Sequence, residues 1–227
     1  MQKRNQLILV LLMLAVVAWV INGISTKGNA LDILKIYGHA SIVMTILTYS
    51  IYLPSIFNGK TKPHIFTWFI YTFLSGVIFF IQLSSGAGPG AWALGLTTII
   101  CGLVTVLCLK FGTTDITLGD RITFILSLVA VIFWMFTSDA ILTLSFILIA
   151  EVLAFYPTFR KTYSNPYQEP LLAYFTTATK MILSLAAIAE YNFYTAAYPI
   201  VCIILYIAFI MMSLLRRKFY NARILNG

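Results

Sequence analysis

Apolar residues run along this chain in long blocks, and short stretches between them carry the charges, the glycine runs and most of the prolines. Eight blocks come close to the ~20 residues, about 17–25, that a helix needs to cross a hydrocarbon core of about 30 Å. They fall at 7–24, 36–54, 65–83, 91–109, 121–137, 140–156, 171–189 and 195–215. The connectors hold chain breakers: Asn58-Gly59, the glycine-rich run at 84–90, and Ser164-Asn165-Pro166. Ser138-Asp139 divides what would otherwise be a single run, 121–156, too long for one span. The pattern predicts an all-α, polytopic helical membrane protein with eight spans. The first block follows Lys3 and Arg4, as the apolar body of a signal peptide would. Residues 20–24 lack a small-x-small cleavage site, so the block is read as a retained N-terminal helix. Cleavage would leave seven spans.

Composition agrees with the pattern. Of 227 residues, 60% are hydrophobic and 10% charged, and the mean hydropathy is +0.93. Soluble domains are about half apolar and a quarter charged. These values exclude an ordinary soluble domain, a disordered chain and a coiled coil. The net charge of +8 is spread between the apolar blocks rather than gathered on one face, so nucleic acid is not an expected partner. The charges orient the chain instead. With the N-terminus inside, the inner segments hold Lys3, Arg4, Lys60, Lys62, Lys110, Arg121, Arg160, Lys161, Arg216, Arg217, Lys218 and Arg223, and the outer ones only Lys27 and Lys35. Positive charge collects on the cytoplasmic side. Both termini are therefore expected in the cytoplasm, in a bacterial inner (plasma) membrane, with the lipid bilayer as first partner. Cys101, Cys108 and Cys202 all lie in apolar blocks without a CxxC, which predicts buried thiols and no disulfide framework.

An internal repeat is visible. Pro54 and Pro157, Pro63 and Pro166, and Tyr71 and Tyr174 each stand 103 residues apart. In each copy a helix is expected to end at a proline, a short basic loop follows, and a second proline lies just before the next helix. The offset crosses four spans, so the copies are parallel and related by an axis along the membrane normal. Parallel repeats are one of two common transporter designs, with the substrate site near midplane between the halves.

In the helix-terminal proline, the polar-basic loop and the re-entering helix, duplicated across a linker helix, the chain resembles the PQ-loop superfamily and its SWEET-like transporters. The family's glutamine after proline is replaced by Ser55 in one copy and Thr158 in the other, and Tyr156-Pro157-Thr158-Phe159 is closer to the SWEET variant. The resemblance implies an N-terminal helix and outer loop (1–35), a first three-helix bundle (36–110), a linker helix (111–138), a second three-helix bundle (139–216) and a basic cytoplasmic tail (217–227). It also implies that Pro54, Pro63, Pro157 and Pro166 form a hinge or gate; the plain alternative is that they only end helices.

Two charges fall inside spans, Glu151 in the sixth and Lys180 in the seventh. A charge at a helix centre costs about 2.5–3.5 kcal/mol on insertion scales, so such residues are functional candidates and need a partner. The helical rise puts the two within about 6 Å in depth, and they are expected to pair, in a substrate site or as a structural bridge. Their counterparts in the first copy are Thr48 and Val77, which makes any polar site asymmetric. Tyr71 and Tyr174 lie inside their spans and could line a cavity or simply pack. The expected substrate-binding residues are thus Glu151, Lys180, Thr48, Tyr71 and Tyr174. The glycine run at 86–90 lacks the lysine and serine or threonine of a phosphate loop and reads as a flexible connector or a lid. His39 and His64 are isolated, so neither a metal nor a cofactor is expected. Without a nucleophile elbow or an acid cluster, an enzyme is not expected. The sequence thus predicts a transporter of a small polar solute, such as a sugar or an amino acid, working by alternating access. The alternative is a receptor or interaction protein of the same fold that binds a ligand without moving it. A homo-oligomer is left open.

Overall fold

The computed structural model describes residues 29–136 and 140–225, less the side chains of 123, 130, 131, 133–135, 140, 143 and 221–225. The predicted first span and the Ser138-Asp139 join lie outside the described residues. Within them seven α-helices follow in order: α1 (Ala30–Phe57), α2 (Ile65–Ser84), α3 (Trp92–Phe111), α4 (Leu118–Phe136), α5 (Ala140–Ser164), α6 (Leu171–Ala186) and α7 (Phe193–Leu225). A 3-10 turn at Gly88–Ala91 leads into α3. The chain is all-α.

Four segments are long and apolar enough to cross a membrane: Ala30–Phe57, Ile65–Ser84, Gly88–Phe111 and Phe193–Tyr220. The expected eight spans are therefore not met among the described residues. Helix α6 is apolar but has only 16 residues, about 24 Å of rise against a core of about 30 Å. Helices α4 and α5 include side chains outside the description and are not among the four.

The helices wear their apolar side chains outward. Ile46, Phe80, Ile99, Val106, Ile204 and Met211 are exposed, whereas Ser41, Thr45, Thr97, Thr176 and Ser184 are buried. An aqueous solvent would favour the reverse, so this surface suits lipid. Several buried hydroxyls are satisfied within their own helices: Thr45 donates to Ser41 O at 2.9 Å and Thr97 to Ala93 O at 2.7 Å. Back-bonding of this kind lets polar residues sit in an apolar helix without stranded donors.

In the first trio α3 packs on both α1 and α2, and in the second α7 packs on both α5 and α6. Between trios, α1 lies along α6 and α2 along α5, while α4 packs on α5 and α2. Exchanging α1 with α5, α2 with α6 and α3 with α7 turns each packing between the trio helices into another in the set.

The helices run up and down between two distinct ends. At one end Thr113 N donates to Pro63 O, Lys161 Nζ to Lys62 O, and Arg217 Nε to Pro166 O, so the α1–α2, α3–α4 and α5–α6 loops meet the far part of α7. At the opposite end Ala189 N donates to Ala87 O and Glu190 N to Gly86 O, joining the α2–α3 and α6–α7 loops. The first end is basic, with Lys60, Lys62, Lys110, Arg160, Lys161, Arg216 and Arg217; the second has Lys35.

Two local expectations are corrected. Pro54 and Pro157 do not end their helices; both lie inside, and α5 continues to Ser164. Each deprives only one carbonyl of its helical donor, which the surrounding packing tolerates. The run at 84–90 is no loose connector, since Ala87, Pro89 and Gly90 are buried. A Cβ on Gly38 would stand 2.7 Å from Pro89 Cβ, and one on Gly90 would stand 2.9 Å from Ile188 Cγ1. Glycine there allows α1, this loop and the α6–α7 loop to close together.

Candidate functional site

A cavity with about 70 Å³ of free volume lies between the two trios, room for roughly five waters at ~10–15 Å³ each. Its wall draws on α1, α2 and α3 as well as α5, α6 and α7. Glu151, Lys180, Thr48, Tyr71 and Tyr174 all line it. Three residue pairs at the 103-residue offset face it together: Thr48 with Glu151, Tyr52 with Phe155, and Tyr71 with Tyr174.

Glu151 and Lys180 are each 3% exposed, yet they form no ion pair, which corrects the expected bridge. Glu151 Oε1 accepts from the Tyr198 hydroxyl at 3.4 Å. Lys180 Nζ donates to Thr97 Oγ1 at 3.1 Å. Helical rise constrains depth along a helix but says nothing about direction around it. Thr48, the neutral counterpart of Glu151, donates to Thr176 Oγ1 at 2.7 Å, tying α1 to α6. Tyr174 donates to Glu169 Oε2 at 3.0 Å, and its ring lies 4.2 Å from that of Phe209. Tyr71 packs near Trp68 and Phe155, with centroids 6.3 and 6.4 Å away.

Of the four prolines, Pro63 and Pro166 are anchors: their carbonyls accept from Thr113 N at 3.0 Å and Arg217 Nε at 2.8 Å. None of the four lines the cavity.

The basic end of the cavity carries a polar network that the sequence reading did not assemble. Lys161 and Glu169 form a buried ion pair. Arg160 grips Asp120 through both carboxylate oxygens, at 3.1 and 2.9 Å, and Thr117 N also donates to Asp120 at 2.9 Å. His64 Nε2 stands 3.5 Å from Asp120 Oδ2, and its Nδ1 has no hydrogen-bond partner among the described residues. Burial pushes the imidazole below its ordinary pKa; the Asp120 carboxylate offsets part of this, while Lys161 and Arg160 add to it. His64 and Glu169 both reach the cavity wall. The available signals were slight: one glutamate, Glu169, in the loop after the basic pair Arg160-Lys161, and one aspartate, Asp120, opening α4.

A second, smaller cavity lies beyond the first. It is lined by Gln82 and Gly90 near the opposite end and shares Lys180, Met181 and Tyr198 with the main one. These three side chains form the partition between the two spaces.

Among the described residues no group of histidine, cysteine and acidic side chains could hold a metal ion. The three cysteines are free and buried; Cys101 lines the cavity, where the Tyr49 hydroxyl lies 3.4 Å from its Sγ.

Comparison with protein-family models, with curated proteins and with solved structures finds no match for this chain.

Proposed function

We propose that this integral membrane protein carries a small polar solute across the bilayer by alternating access, through two parallel three-helix bundles (36–110 and 139–216) joined by α4 as linker. The observation that carries the reading is the cavity between the trios, continued beyond Lys180, Met181 and Tyr198 by a second space toward the opposite end. A solute passing between them must cross that partition, which is what a midplane site between repeats requires. The exchange symmetry of the helix packings and the offset pairs on the cavity wall support the duplicated architecture and its SWEET-like character. The basic end faces the cytoplasm under the positive-inside rule, which gives N-in and C-in.

The experiment is solute uptake into liposomes containing the purified protein. Saturable uptake that depends on Lys180 supports transport. Saturable binding without uptake would replace it with the receptor reading.

A further inference from the structure

Glu151 and Lys180 present an unusual combination: two buried groups of opposite formal charge, on one cavity, each bonded to a neutral hydroxyl instead of to the other. An ammonium has three donors and a carboxylate about four acceptor sites, and each group here spends one on the protein. Elsewhere in the same molecule buried charges are closed off, Lys161 by Glu169 and Asp120 by Arg160. Charges withdrawn from water are costly unless paired and hydrogen-bonded. The cavity site lacks that internal pairing.

We infer that the solute is a zwitterion, a small molecule bearing both an ammonium and a carboxylate, of the amino-acid type. Its carboxylate meets the free donors of Lys180, and its ammonium meets Glu151 and the hydroxyl oxygen of Tyr198. Binding completes both ion pairs at once. A sugar offers only hydroxyls and leaves both charges without a counter-ion; an amine or a carboxylic acid alone satisfies one and leaves the other. The tyrosine rings of Tyr71 and Tyr206 on the same wall add faces that attract a cation. Thr48 and Val77 occupy the matching positions of the first trio, so the molecule has one such charged site rather than two.

The inference rests on the cavity being a solute site, as the transport reading holds, and the test separates them. Purified protein in lipid nanodiscs is titrated with L-alanine, L-serine, n-propylamine, propionate and glucose, with melting temperature and calorimetric heat as readouts. The zwitterions are expected to raise the melting temperature and bind saturably, while the singly charged compounds and glucose bind at least tenfold more weakly. Glu151→Gln and Lys180→Met are each expected to weaken L-alanine binding at least tenfold. The wild-type panel decides the matter even where a variant fails to fold. A glucose response without an L-alanine response overturns the zwitterion and leaves transport standing. L-alanine binding without L-alanine uptake into liposomes supports the zwitterion site and overturns transport. No response to any of the five overturns the zwitterion.

Discussion

Lys161 and Lys180 are both buried lysines, but their surroundings predict opposite behaviour. Lys161 holds Glu169 in an ion pair and also donates to Lys62 O at 2.9 Å. Lys161→Met strands a buried carboxylate, and should cost about 3–5 kcal/mol. Lys180→Met removes a buried ammonium bonded to one neutral hydroxyl, and should change stability by no more than about 1 kcal/mol. Thermal unfolding of the two variants compares them directly; an equal loss from both would mean that Lys180 is paired with Glu151 after all. His64 supplies a pH dependence. Its folded pKa lies below the unfolded value of about 6.5, so the unfolded chain binds more protons between the two values. Its contribution is fully present above about pH 6.5, and falls as pH drops from there toward the folded value. The melting temperature should therefore decline over this range, and His64→Gln should flatten the decline. An unchanged slope in the variant would assign the effect to other groups.

At the scale of elements, the closed opposite end depends on backbone approaches that glycine alone permits. In Gly90→Ala the new methyl meets Ile188 Cγ1 at 2.9 Å and Ser184 O at 3.0 Å. A backbone oxygen cannot move aside cheaply, so a destabilisation of about 1–3 kcal/mol is expected by denaturant or thermal unfolding. A neutral result would show that the loop and α6 are not held together as closely. The helices themselves were legible in the sequence because length and hydropathy fix them locally: each described apolar block from the second onward has its helix. Which helix touches which was not legible. The contact of α1 with α6 joins Thr48 to Thr176 across 128 residues, and no local pattern encodes it. The prolines misled for a related reason. Pro54 and Pro157 carry a local signal to stop a helix, and tertiary packing carries the helix past both.

At the scale of the whole molecule, the two ends differ in charge and the cavity lies between them. The five expected cavity residues line one cavity: Glu151 and Lys180 were legible as charges inside apolar blocks, and Thr48, Tyr71 and Tyr174 through the 103-residue offset. The Lys161–Glu169 and Asp120–Arg160 pairs escaped the sequence reading because each joins different elements whose distance only the fold sets. Orientation is checked by labelling: Gly59 and Gly88 have φ of 67° and 55°, where a side chain is strained, so Asn58→Cys and Ser84→Cys are the better probes. An impermeant thiol reagent applied to intact cells should label the Ser84 site and spare the Asn58 site. The central claim is that one cavity opens in turn to both sides, and Cys101 is a native reporter on its wall. With Cys108→Ser and Cys202→Ser in place, reaction of Cys101 with an impermeant thiol reagent is measured in right-side-out and inside-out vesicles. Alternating access predicts modification from both sides, whereas modification from one side alone would contradict it.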